Sequence, residues 1–266
     1  MSAIVKAAGL VKRYDRTLAV AGVDLDVGAG EIFGLVGPNG AGKTTSLRIL
    51  GTLIRADGGD AEIAGFSLSR QPNEVRRVLG FMPDSFGVYD EMKVWEYLDF
   101  FARCYDIPAA RRRTMIGDLL ELVDLGPRRD NYVQGLSRGM QQRLCLAHAL
   151  VHDPQVLLLD EPAAGTNPSE KVELARLIRR VNDEMGVSVL LIEHDMRLVM
   201  LLADRVVVLN FGKVISSGTP SEVQRDPAVI EAYLGAPPPE AESGAREAPD
   251  AETDGGGTPR EGDAGR

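Results

Sequence analysis

The sequence predicts an α/β fold built on a mainly parallel sheet. Apolar, β-rich runs at residues 32–36, 156–159, 187–192 and 206–209 alternate with helical patterns at 44–53, 139–151, 169–185 and 196–203. The first three runs carry no polar alternation, which is how strands buried on both faces read. With 44% apolar and 26% charged side chains over 266 residues, the composition is that of an ordinary globular protein, which excludes collagen-like, coiled-coil and disulfide-scaffold architectures.

Taken in order, residues 3–30 read as an antiparallel meander of short strands ahead of the parallel core. Strand 32–36 then runs into Gly37-Pro38-Asn39-Gly40-Ala41-Gly42-Lys43-Thr44-Thr45, and a helical pattern follows at once. This run fits GxxxxGK[ST] with a strand before it and a helix after it, the context that the motif requires. Glycines let successive N–H groups curl around a phosphate, and the helix N-terminus adds its positive end. Lys43 is placed to reach the β- and γ-phosphates of a nucleotide, and the Thr44 hydroxyl to ligate Mg²⁺. Residues 91–130 read as a run of helices, within a helical subdomain of roughly 84–145. Strand 156–159 ends in Asp160-Glu161-Pro162. Ligands collect at the C-terminal edge of parallel strands, so both carboxylates face the nucleotide crevice. Successive strand residues point to opposite faces, which suits Asp160 to the Mg²⁺ shell and Glu161 to accepting a proton from the attacking water. His194 stands just after the run 187–192, whereas His148 and His152 read as structural. No internal repeat is visible.

The formal charge of −9 is unevenly spread. Residues 236–266 hold eight acidic side chains against three arginines, which leaves only −4 on residues 1–235. A body that mildly acidic is poorly suited to binding nucleic acid by counterion release. The tail is built from Pro, Gly, Ala and acids, has too little apolar area to offset chain entropy, and reads as disordered from Ala236 onward. Cys104 and Cys145 lie 41 residues apart without a CxxC and read as reduced, partly buried thiols. The N-terminus lacks the apolar run of a signal peptide, and the longest apolar stretch, 198–209, is broken by Asp204 and Arg205. The expected setting is therefore the cytoplasm, with any membrane role supplied by a partner.

Leu136-Ser137-Arg138-Gly139-Met140-Gln141-Gln142-Arg143-Leu144 begins 24 residues before Asp160 and opens a helical pattern. It resembles the LSGGQ signature of ABC-type ATPases, and the motif order of that family (phosphate loop, signature, acidic strand, switch histidine) is reproduced over residues 3–235. The resemblance implies a phosphate-loop core with an N-terminal antiparallel β subdomain and a helical subdomain. It implies that Ser137 and the Gly139 N–H form a second site for a γ-phosphate, acting across a head-to-tail dimer. It also implies that Tyr14 lies against adenine and that His194 contacts the γ-phosphate. ATP and Mg²⁺ follow as cofactors, and the absence of an NKxD motif favours ATP over GTP. The implied partners are a second ATPase subunit and a transmembrane permease at the cytoplasmic face of the cell membrane, with no nucleic acid and no direct membrane insertion.

Three positions depart from the family pattern. Asp84 stands where most members carry Gln, still within reach of the Mg²⁺ shell or the lytic water through an oxygen; Arg138 and Met140 replace a Gly and a Gln of the signature; and Asn167 replaces an Asp. Residues up to about 160 resemble the ATPases of drug exporters, while 161–235, with LLIEHDMRLVM and VIEAYLG, resemble those of branched-chain amino-acid importers. Permeases of this family dock on the region corresponding to 84–135, where Phe86, Val88, Tyr89 and Trp95 offer a groove. That region carries the exporter wording, so export is the expected direction, with import and a soluble, non-transport ABC ATPase as alternatives. The 91 residues between Thr45 and Ser137 leave no room for the long coiled coil of repair-type members.

Overall fold

A computed structural model describes residues 3–84, 87 and 91–234. The expectations for the tail from Ala236, and for Phe86, Val88 and Tyr89 as groove residues, lie outside the described residues. The chain opens with two strands, β1 (Ala3–Tyr14) and β2 (Thr17–Gly28), before β3 (Ile32–Val36) starts a second sheet. After α1 (Lys43–Leu50), β4 (Gly58–Ile63) and β5 (Phe66–Ser67) return to the first sheet, which is antiparallel in the order β2-β1-β4-β5. Its first two strands are long, 12 residues each, and not the short meander that the sequence predicts. Gly9 and Gly22 sit at register shifts of the β1–β2 ladder with positive φ, so they form bulges that bend the strands without ending them.

The second sheet adds β6 (Leu79–Met82), β7 (Val156–Asp160), β8 (Ser188–Ile192), β9 (Arg205–Asn210) and β10 (Lys213–Gly218), in the order β10-β9-β3-β8-β7-β6. The pairings among its first five members in sequence are parallel, and only β10 runs antiparallel, at one edge. β3, β7 and β8 are buried at every position, as their unbroken apolar runs require. One face, with Ile32, Leu157, Val189 and Val206, packs under the helices; the other, with Phe33, Leu158, Leu190 and Val207, packs against α1 and the antiparallel sheet. Each such side chain contributes roughly 1.5–3 kcal/mol on burial.

Helices α2 (Pro72–Val78), α3 (Val94–Cys104), α4 (Ala109–Leu122) and α5 (Arg138–Leu150) precede β7. They are followed by α6 (Pro168–Met185), α7 (Met196–Leu202), α8 (Pro220–Val223) and α9 (Pro227–Leu234). α6 begins at Asn167, whose Oδ1 accepts from the Glu170 N–H at 2.9 Å while the Glu170 carboxylate accepts from the Asn167 N–H at 3.0 Å. This reciprocal cap accounts for Asn at a position where the family carries Asp, since the two residues cap equally well. Trp95 packs against the main core. The His148 ring lies 3.7 Å from Phe101 and edge-on to Tyr97, and His152 stacks on Tyr105. Both cysteines are free; Cys145 is buried, and Cys104, expected to be partly buried, is exposed at the end of α3. Among the described residues no helix is long and apolar enough to cross a membrane.

Candidate functional site

Because β3 lies between β9 and β8, with β7 next to β8, the C-terminal ends of three adjacent strands open on one crevice. They deliver the phosphate loop, His194 and the Asp160–Glu161 pair. The loop is shaped by close backbone approaches from both sheets. A Cβ on Gly37 would lie 2.1 Å from the Leu209 carbonyl oxygen, and one on Gly42 would lie 2.3 Å from that of Ala19; both residues also have positive φ. No side chain fits at either position. Gly212, in the β9–β10 turn, joins the two sheets here: its N–H donates to the Ala41 carbonyl at 2.9 Å, and its carbonyl accepts from the Ala21 N–H at 2.8 Å.

Within the loop, the Lys43 ammonium donates to the carbonyls of Gly37 at 2.8 Å and Pro38 at 3.1 Å. Burial lowers the Lys43 pKa, and the charges of Glu161 and Asp160 oppose that shift. The Thr44 hydroxyl donates to Asp160 Oδ1 at 3.5 Å. Asp160 is only 3% exposed, and its pKa is pushed up to about 6 by burial and then by the neighbouring charges of Asp84 and Glu161. Asp84 is therefore close enough to act on Asp160 electrostatically. Thr44 and Asp160 are hard oxygen donors in an electronegative corner, a set that fits Mg²⁺. Among the described residues no three Asp, Glu, His or Cys side chains converge to hold a metal unaided, and Mg²⁺ ordinarily takes one or two carboxylates and leaves its other positions to water and phosphate.

Glu161 occupies the left-handed region, with φ +48°, and its N–H donates to the Ile192 carbonyl at 3.0 Å. Such a conformation is strained for a side chain of this size and is held by its surroundings. Glu161 Oε2 comes within 3.5 Å of His194 Nδ1, so the two candidates from neighbouring strands meet. Tyr14 ends β1 half exposed, with the Lys12 ammonium 5.6 Å from its ring centroid.

Ser137 and Gly139 open α5. Ser137 caps α5, its Oγ accepting from the Met140 N–H at 3.3 Å, and Gly139 packs on Glu170. Arg138 reaches the carbonyls of Ala164 at 3.4 Å and Asp84 at 3.5 Å, tying the start of α5 to the loops that follow β7 and β6. The most informative residue that the sequence reading passed over is Glu193. It is 1% exposed, its Oε1 accepts from the Ala163 N–H at 3.1 Å, and burial raises its pKa. A carboxylate among apolar strand residues, directly before His194, was the available signal. α9 was also missed; Ala228, Glu231 and Ala232 line a cleft with Pro38–Ala41.

Geometry of this kind is the property of phosphate-loop nucleoside triphosphatases. The family model for ABC transporters matches residues 20–164, and that for the branched-chain amino acid ATP-binding cassette transporter matches residues 213–237. The daunorubicin/doxorubicin resistance ATP-binding protein DrrA of Streptomyces peucetius is 37% identical over 220 residues, covering 83% of this chain and 66% of its own length. The high-affinity branched-chain amino acid transport ATP-binding protein BraF of Pseudomonas aeruginosa is 37% identical over 255 residues, covering 87% of this chain and 98% of its own. Among solved structures, cbiO1 of Clostridium perfringens, part of the ABC transporter complex cbiONQ, superposes with a TM-score of 0.78 at 28% identity over 87% of this chain and 94% of that one. The chain belongs to the ABC transporter ATP-binding family, whose members hydrolyse ATP.

Proposed function

We propose that this chain binds and hydrolyses ATP, with Mg²⁺, as one of two ATPase subunits that power a separately encoded transmembrane permease from the cytoplasmic face of the membrane. The meeting of Glu161 and His194 at 3.5 Å, beside the Lys43 loop, carries the reading. The loop N–H groups from Gly40 to Thr45 cradle the phosphates, Lys43 neutralises charge between the β- and γ-phosphoryl groups, and Tyr14 lies against the adenine. Thr44 and Asp160 would hold Mg²⁺, with Asp84 near its shell, and the ion would offset charge on the transferred phosphoryl group. Glu161 accepts a proton from water as the oxygen of that water bonds to the γ-phosphorus and the bond to the bridging oxygen breaks, releasing ADP and phosphate. His194 orients the Glu161 carboxylate and contacts the γ-phosphate. Ser137 and the Gly139 N–H, at the start of α5, serve the nucleotide of the second subunit.

Residues 1–235 are the ATPase, with 84–145 as its helical part. Export is the favoured direction, supported by the likeness to DrrA; the match of residues 213–237 to a branched-chain amino-acid family supports import as the second reading. Replacing Glu161 with Gln tests the mechanism. ATP affinity should stay within about threefold while turnover falls by 10²–10⁴-fold. Turnover at the parental rate would refute the assignment. Co-purification from membranes with a polytopic protein tests the partner, and a ribosome-bound fraction in its place would refute it.

A further inference from the structure

Glu193 has no part in the chemistry above, and it is more deeply buried than Asp160 or Glu161. It leaves β8 at its C-terminal end, one residue before His194. A carboxylate in such surroundings persists only if donors hold it. The donor here comes from another loop: the Ala163 N–H reaches Oε1 at 3.1 Å from the turn that follows Glu161. Oε2 lies 3.9 Å from His194 Nδ1. The turn beyond Glu161 is closed by the Ala164 N–H donating to the Glu161 carbonyl at 2.9 Å and the Thr166 N–H to the Ala163 carbonyl at 3.2 Å. Ala163 therefore adds a side-chain fastening of that turn to the end of β8, beyond the main-chain bond from the Glu161 N–H to the Ile192 carbonyl. The fastening also bears on the left-handed backbone of Glu161, two residues away.

We propose that Glu193 is a positioning residue for ATP hydrolysis, setting the distance between the Glu161 carboxylate and the His194 ring by fastening the turn after β7 to the end of β8, directly beside His194. The inference rests on Glu161 being the proton acceptor. An aliphatic residue at 193 leaves the Ala163 N–H without its acceptor and frees the turn to shift. Displacements of about 1 Å at a reacting group cost up to roughly a hundredfold in rate, while the phosphate loop, built on another strand, is untouched.

The test compares Glu193→Ala and Glu193→Gln in the full chain, with ATP binding, kcat, KM and thermal stability measured separately. Gln keeps an acceptor of the same length and shape. The expected result is a fall in kcat of about tenfold or more for Glu193→Ala, with ATP affinity and KM within threefold, and recovery of at least half the parental kcat in Glu193→Gln. Combined with Glu161→Gln, the Ala substitution should add less than twofold, because it acts through the same group. A parental kcat in Glu193→Ala would overturn the proposal, as would a Gln variant as slow as Ala, or equal losses of binding and turnover accompanied by a lower melting temperature. Failure of the underlying reading has a separate signature: Glu161→Gln itself would turn over at the parental rate.

Discussion

Replacing His148 with leucine should remove a defined part of the protein's sensitivity to acid. The ring lies 3.7 Å, centroid to centroid, from Phe101 and edge-on to Tyr97, and its buried Nδ1 has no hydrogen-bond partner among the described residues. Burial, with a smaller effect from His152, lowers its pKa from 6.5 to about 4. A base that binds its proton less well folded than unfolded favours the folded state above pH 6.5 and loses that advantage as pH falls toward 4. At pH 5 the unfolded chain is almost fully protonated at this site and the folded chain almost not at all, which amounts to about 2 kcal/mol lost relative to pH 7.5. Urea denaturation of parent and His148→Leu at both pH values reads this directly. Taking the pH difference within each protein cancels the packing change that leucine introduces. The parent should lose about 2 kcal/mol more than the variant between pH 7.5 and 5. Losses that agree within about 0.5 kcal/mol would refute the buried, neutral histidine.

Three further outcomes are expected. Lys43→Ala should abolish measurable nucleotide binding by equilibrium dialysis while the fold persists, since the ammonium's hydrogen bonds among the described residues go to its own loop; binding within threefold of the parent would refute its phosphate role. Asn167→Ala should cost about 1 kcal/mol in denaturation by removing the α6 cap, and Asn167→Asp should cost almost nothing. In the native protein a thiol reagent should modify Cys104 and spare Cys145, whose thiol is buried and pushed up to about 12, as peptide mass mapping would show.

The parallel core was legible because its strands are buried on both faces, so no polar residue interrupts Val156–Leu159 or Ile32–Val36. β6 and β10 were harder to read for opposite reasons. Four residues containing a glycine give too little pattern, and an edge strand with no fully buried position has no reason to be apolar. In the crevice, Lys43, Thr44, Asp160 and Glu161 announce themselves because phosphate chemistry fixes both their type and their spacing. Glu193 has no such spacing rule. Its meaning depends on the Ala163 N–H, thirty residues earlier in the chain, and only folding creates that contact. The signature was readable as a motif, but not the use of Arg138, whose carbonyl partners lie in two loops distant in sequence.

The peptide groups of Gly212 give the molecule a joint that contains no side chain. A displacement of the antiparallel strands would reach the nucleotide cradle through two main-chain hydrogen bonds, and mutagenesis that trims side chains cannot sever them. Alanine is no neutral probe there either, because φ is +74° and a methyl group would press to 2.8 Å from the Ala19 carbonyl oxygen. Communication along this route would look silent in a conventional alanine scan. It would be visible to backbone ester substitution or amide hydrogen exchange at Gly212 and Ala21.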